Sequence, residues 1–226
     1  MSAATHEPSH DPTEVDLHVQ FHDIEQQNET YLVGMWTFLV TEVMFFGALF
    51  LVYILQRWMH APEFWAVHTQ LDWKMGGVNT TILLFSSFTM ACAVHFAQKR
   101  EFNKQFGMLG VTMACAFGFL IVKYFEWGAK IEHHLVPGAH FQWHEPGAAS
   151  GVAEMFFVLY FSMTGLHAFH VIVGILVIGF LMFRVWQRHY SVNRDYLPTE
   201  MVGLYWHFVD LVWIFLYPLF YLIPKS

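Results

Sequence analysis

Five apolar stretches, at about 31–56, 77–97, 107–125, 155–183 and 203–223, leave this chain few ways to fold. Each holds roughly the 20 residues that, at about 1.5 Å rise per residue, cross a hydrocarbon layer about 30 Å thick. The 226 residues are 56% apolar and 13% charged, far from a soluble norm, and a soluble helical protein would show amphipathic stripes instead. The expectation is an all-α polytopic membrane bundle of five transmembrane helices over residues 30–226.

Residues 1–29 carry seven acidic side chains and no lysine or arginine, which reads as a solvated acidic tail and not as a secretory signal. The rest of the chain balances acids against bases, so the formal charge of −7 belongs to the tail and no basic patch for nucleic acid exists. Cys92 and Cys115 fall inside spans and read as packing residues. With the tail placed in the cytoplasm, the inner loops hold Lys99, Arg100, Lys104, Arg184, Arg188 and Arg194. The outer segments hold Arg57, Lys74, Lys130 and Lys225, with Lys123 near that face, so the positive-inside preference is slight.

Polar residues inside apolar helices carry the functional information, because they must face protein and not lipid. Glu42 lies midway along the first span, as either a structural carboxyl or a proton-handling group. His167 and His170, at i, i+3, fit interhelical hydrogen bonds better than metal ligation. His207 and Asp210 share a face of the last span. Lys123 and Glu126, one turn apart, read as an interfacial pair that snorkels toward water. Gly107, Gly110, Ala114 and Gly118, and on the preceding span Asn79, Thr80, Ser86, Ser87 and Ala91, read as faces for close helix contact. The loop at about 127–152 carries His133, His134, His140 and His144, in no closed zinc pattern and without cysteine. No phosphate-loop, dinucleotide or zincin motif occurs.

Taken in order, these residues resemble the cytochrome c oxidase subunit III family of the haem-copper oxidases. Trp36 to Phe46 is similar to its Trp-x-Phe-Leu-x-x-Glu-x-Met-x-Phe segment. Asn79-Thr80 with Ser86-Ser87 resembles its Asn-Thr then Ser-Ser helix, and Phe125-Glu126-Trp127 its Glu-Tyr or Glu-Trp helix end. Thr164 to Gly174 resembles its Thr-Gly-x-His-x-x-His-Val-x-x-Gly element, and Trp206 to Trp213 its terminal Trp-His-Phe-Val-Asp-x-x-Trp. Two positions depart from the pattern: Lys123 stands where glutamine is common, and Ala168 where glycine is usual. The chain resembles the five-helix bacterial form, which lacks the first two helices of the seven-helix version.

The resemblance implies a non-redox subunit of a proton-translocating terminal oxidase, in a bacterial cytoplasmic membrane with its N-terminus inside. It would stabilise the catalytic subunit I and support its proton uptake and oxygen supply. Haem and copper would reside in partner subunits, with no catalytic, cofactor or metal site in this chain, and phospholipid would be bound. The residues expected to serve as buried polar, lipid or subunit contacts are Glu42, Asn79, Ser86, His95, Glu126, His167, His170, Trp206, His207 and Asp210. A subunit III of a quinol oxidase, or an accessory subunit of a nitric oxide reductase, is the near alternative. A membrane metalloenzyme ligating haem or di-iron through His95, His167, His170 and His207 is the distant one.

Overall fold

The computed structural model describes residues 20–138, 141–187 and 196–223. The first nineteen residues of the acidic tail, His140, Arg188, Arg194 and Lys225 lie outside the described residues. Six helices follow one another: α1 Ile24–Met59, α2 Ala61–His68, α3 Trp73–Gln98, α4 Phe102–Glu132, α5 Ser150–Gln187 and α6 Leu197–Tyr221. All but α2 are long and apolar enough to cross a membrane, so this is a multi-pass membrane protein. α1, α3, α4 and α5 outrun their apolar stretches at both ends, and α6 begins six residues before its own. α1 begins at Ile24, within the stretch read as tail, because Asp23 accepts a hydrogen bond from the Gln26 backbone N–H at 2.6 Å and caps the helix there. Asp72 caps α3 in the same manner through Lys74 N–H at 2.8 Å. Pro62 and Pro198 stand in the first turns of α2 and α6, where a missing N–H costs nothing.

The turn from α3 to α4 is tight, with Arg100 in the left-handed region at φ 58°. Beside it Lys104 pairs with Glu101 at 2.6 Å, and that ammonium holds the Glu101 carboxyl below its ordinary range. α3 packs most extensively on α4, α6 lies along α3 and α5, and α5 closes against α4. α1 stands at the periphery. Leu39, Phe46 and Tyr53 are its buried apolar residues, seven apart, with Glu42 between them in the same seam. Outside that seam α1 exposes a broad apolar surface that includes Trp36, Val40, Met44 and Leu51. The short α2 folds back on α5, with Phe64 and Val67 fully buried and the Phe64 ring against Phe156 and Tyr53.

The glycine stripe of α4 does not serve as a helix contact. A methyl group at Gly107 or Gly118 would meet nothing within 4 Å, and at Gly110 only the tip of Met182 at 3.9 Å. Close approach happens elsewhere, where aromatic rings lie on glycine. At Gly174 of α5 an added Cβ would come within 2.5 Å of the Trp206 ring, and at Gly76 of α3 within 2.8 Å of Tyr217. Both belong to helices that meet large side chains of α6, whereas the α4 glycines face outward.

Candidate functional site: a buried polar seam

Lys123, Glu126 and Lys130 recur at i, i+3 and i+7 along α4, so all three share one face. That face points inward. Lys123 and Glu126 expose only 3% and 2% of their side chains, which overturns the reading of an interfacial, snorkelling pair. The sequence places them near a helix end but does not show that α5 and α6 cover them. Glu126 Oε2 accepts from Lys123 Nζ at 2.8 Å, while Oε1 accepts from the hydroxyls of Tyr160 at 2.8 Å and Tyr221 at 2.5 Å. Lys130 Nζ stands 3.4 Å from the same Oε1, and Asp72 lies within electrostatic reach of it. Lys123 also donates to Tyr221 at 2.8 Å and sits 4.6 Å from the centroid of the Trp213 ring. Both oxygens of the carboxylate thus meet a partner, the condition under which a buried charge is tolerated. The cluster ties α4 to α5 and α6.

A second pairing joins α1 to α5. His170 Nε2 meets Glu42 Oε2 at 3.0 Å, and its Nδ1 meets the Leu166 carbonyl oxygen at 2.8 Å. A carbonyl only accepts, so Nδ1 carries a hydrogen, and the Nε2–Oε2 contact holds one proton between imidazole and carboxyl. The pair is half-hidden, with Glu42 exposing 18% of its side chain. The Tyr205 hydroxyl donates to the His170 backbone oxygen at 3.0 Å, which binds α6 to the same point.

The hydroxyl residues of α3 form a ladder to α4 and α6. Trp206 Nε1 donates to Ser86 Oγ at 3.0 Å, Trp213 Nε1 donates to Thr80 Oγ1 at 3.1 Å, and Ser87 Oγ shares a proton with His207 Nδ1 at 2.7 Å. Thr89 and Thr112 hydroxyls meet at 2.8 Å between α3 and α4. These bonds cross helix boundaries, so the small polar face of α3 is a contact surface as its composition suggests; Ala91 alone of that set is exposed.

Asn79, His167 and Asp210 behave differently. All three are buried to 2% exposure or less, and none of their side-chain nitrogens or oxygens hydrogen-bonds to any described residue. His167 packs against the rings of Phe119 and Trp213, which also touch each other, and Asp210 lies beside Ser87 without an aligned bond. His95 is exposed near the end of α3, its ring against Phe96.

The four histidines of the metalloenzyme alternative therefore have four separate surroundings. Both nitrogens of His170 are engaged, and among the described residues no three His, Cys, Asp or Glu side chains converge on a point fit for a metal. The described residues thus do not assemble a di-iron set of carboxylates and histidines. In the loop, His133, His134 and His144 are exposed, and His134 adopts φ 54°.

Sequence reasoning passed over Tyr160, Tyr221 and Tyr205 and read Lys130 only as an outer-segment charge; these four complete the two pairings. Their signal lay in depth: Tyr160 and Tyr221 fall near the helix ends where Lys123 and Glu126 lie.

A model of the family described as cytochrome c oxidase subunit III matches residues 18–224. The chain belongs to this family. It is 31% identical to a cytochrome c oxidase subunit 3 of Thermostichus vulcanus over 86% of this chain and 88% of that protein. A cytochrome c oxidase subunit 3 of Bacillus subtilis is 29% identical, with 87% of each chain covered. A heme-copper oxidase subunit I+III of Aeropyrum pernix is 31% identical over 84% of this chain, which spans 22% of that longer protein. The buried seam described above is accordingly that of a subunit III of a haem-copper oxidase. It works in a complex with oxidase activity, beside other oxidase subunits.

Proposed function

We propose that this subunit III is a non-redox scaffold that docks on the catalytic subunit I in a bacterial cytoplasmic membrane, with its N-terminus on the cytoplasmic side. There it stabilises subunit I during turnover and supports proton uptake and oxygen supply, while haem and copper stay with partner subunits. The observation that carries the reading is the use made of the ionisable side chains. Lys123, Glu126 and Lys130 pair with one another and with tyrosines of α5 and α6, and Glu42 pairs with His170 across α1 and α5. Such bonds fix relative helix positions. The Aeropyrum protein, named as subunit I+III, supports adjacency to subunit I, because fusion requires the two parts to lie side by side.

On this reading the exposed apolar surface of α1 and the outer faces of the bundle contact bound phospholipid and neighbouring subunits, with Trp36 and His95 on those surfaces. The inward residues Asn79, Ser86, Trp206, His207 and Asp210 keep the bundle in one shape. The test is purification of the native complex through a tag on this chain. The expected result is co-purification of a haem-bearing subunit I in equal amount, with oxygen-consuming activity. A chain recovered free of any haem-bearing partner, under conditions that preserve respiration in the source membrane, contradicts the proposal. The same preparation separates cytochrome c from quinol as donor: a copper-binding partner subunit with oxidation of reduced cytochrome c identifies the former.

A further inference from the structure

We propose that Asn79, His167 and Asp210 are the walls of an internal hydration site, and that ordered water, held in the core of the bundle, is their hydrogen-bonding partner. Six atoms are at issue: Asn79 Oδ1 and Nδ2, His167 Nδ1 and Nε2, and Asp210 Oδ1 and Oδ2, each hidden from solvent and without a hydrogen bond among the described residues. Native proteins leave few such groups unpaired, since each unmade bond carries the full desolvation penalty of its group. Six left dry would cost an amount comparable to the whole stability of a domain. The cost does not fall in a membrane, where no solvent outside the bundle can relieve it.

The nearby protein groups are already committed. Trp213 Nε1 is held by Thr80, Trp206 Nε1 by Ser86, and the Ser87 hydroxyl is shared with His207. The three residues come from α3, α5 and α6, and Trp213 links their surroundings. His167 stacks at 5.1 Å from its ring, Thr80, next to Asn79, bonds its indole nitrogen, and Asp210 precedes it by one turn of α6. The small Ser87 lies beside Asp210, and Cys115 is within electrostatic reach of it.

Chemistry chooses water over a metal cation. A cation satisfies the oxygens of Asp210 and Asn79 and one lone pair of His167, but it repels the Asn79 NH₂ group and the N–H of His167. Water both donates and accepts, and buried waters typically make about three hydrogen bonds to otherwise unpaired groups.

X-ray radiolysis footprinting of the purified oxidase complex tests this, because hydroxyl radicals made in place from bound water mark the side chains beside it. The comparison is between Trp213 and Tyr53, which is equally hidden but lies in an aromatic cluster with its hydroxyl bonded to the Leu219 carbonyl. After correction for intrinsic reactivity, Trp213 is expected to be modified at least tenfold faster than Tyr53. Equal, slow modification of both residues overturns the proposal. In the Asn79→Leu, Asp210→Leu double variant, Trp213 modification is expected to fall at least threefold. Unchanged modification there overturns the assignment to these side chains. If that variant does not assemble, the comparison within the unmodified complex still decides.

Discussion

The indole of Trp206 on α6 rests on Gly174 of α5, so closely that a Cβ there would lie 2.5 Å from the ring. The same indole donates to Ser86 of α3 at 3.0 Å, so one side chain locks three helices. Gly174→Ala is expected to force a shift costing about 1–3 kcal/mol, as overpacking of a close-packed interior does. Gly118→Ala, where the added methyl meets nothing, is the control and should leave stability unchanged. Thermal inactivation of the purified complex measures both. Equal melting of the two variants would show that the contact is not a constraint.

Glu126 is the single carboxylate that Lys123, Tyr160 and Tyr221 all address. Glu126→Ala strips their common acceptor and leaves buried ammonium groups unpaired, which is expected to cost about 3–5 kcal/mol. Assembly should fail or yield fall steeply. Glu126→Gln combined with Lys123→Gln removes both charges of the closest pair and should recover much of the loss. Accumulation of each variant in the membrane, read by immunoblot against the wild type, reports the outcome. A double variant no better than Glu126→Ala would mean that the charge pairing is not what matters.

Glu42 holds His170 at 3.0 Å across the α1–α5 boundary. Glu42→Ala should loosen α1 by about 0.5–2 kcal/mol, the scale of interhelical hydrogen bonds in membranes. The expected phenotype is shorter-lived activity with an unchanged haem spectrum. Glu42→Gln keeps a hydrogen-bonding group and should retain the initial turnover rate. If it abolishes that rate at once, the carboxyl moves protons directly and the structural reading fails.

Much of this architecture is legible in the residues. Apolar runs of spanning length announce five helices, and the cost of Glu42 in hydrocarbon requires a partner on another helix. What depth in sequence does not give is which neighbour covers a face. Lys123 and Glu126 look interfacial because they lie near a helix end, yet Tyr160 and Tyr221 bury them from helices far away in the chain. The α4 glycines look like a contact stripe by spacing alone, whereas the real approaches are at Gly76 and Gly174, opposite aromatic rings. The short α2 hides in a connection, although Pro62 followed by Phe64, Val67 and Leu71 carries a start signal and a helical apolar spacing.

The proposed orientation rests on the count of spanning helices and the slight lysine and arginine bias. With the N-terminus inside, the start of α4 at Asn103 is expected to face the cytoplasm and the connection before α5 to face outward. Reporter fusions at Asn103, Glu145 and the C-terminus read this directly. Cytoplasmic signal from the Glu145 fusion reverses the assignment.

On the proposed function this chain organises an oxidase without holding its redox centres. Metal and haem content decide it: the intact complex is resolved into subunits, each shown to be folded by its helical circular dichroism, and iron and copper are counted in each. Stoichiometric haem and copper are expected in the partner fraction and none in this chain. Stoichiometric iron or copper retained by the separated, folded chain contradicts it.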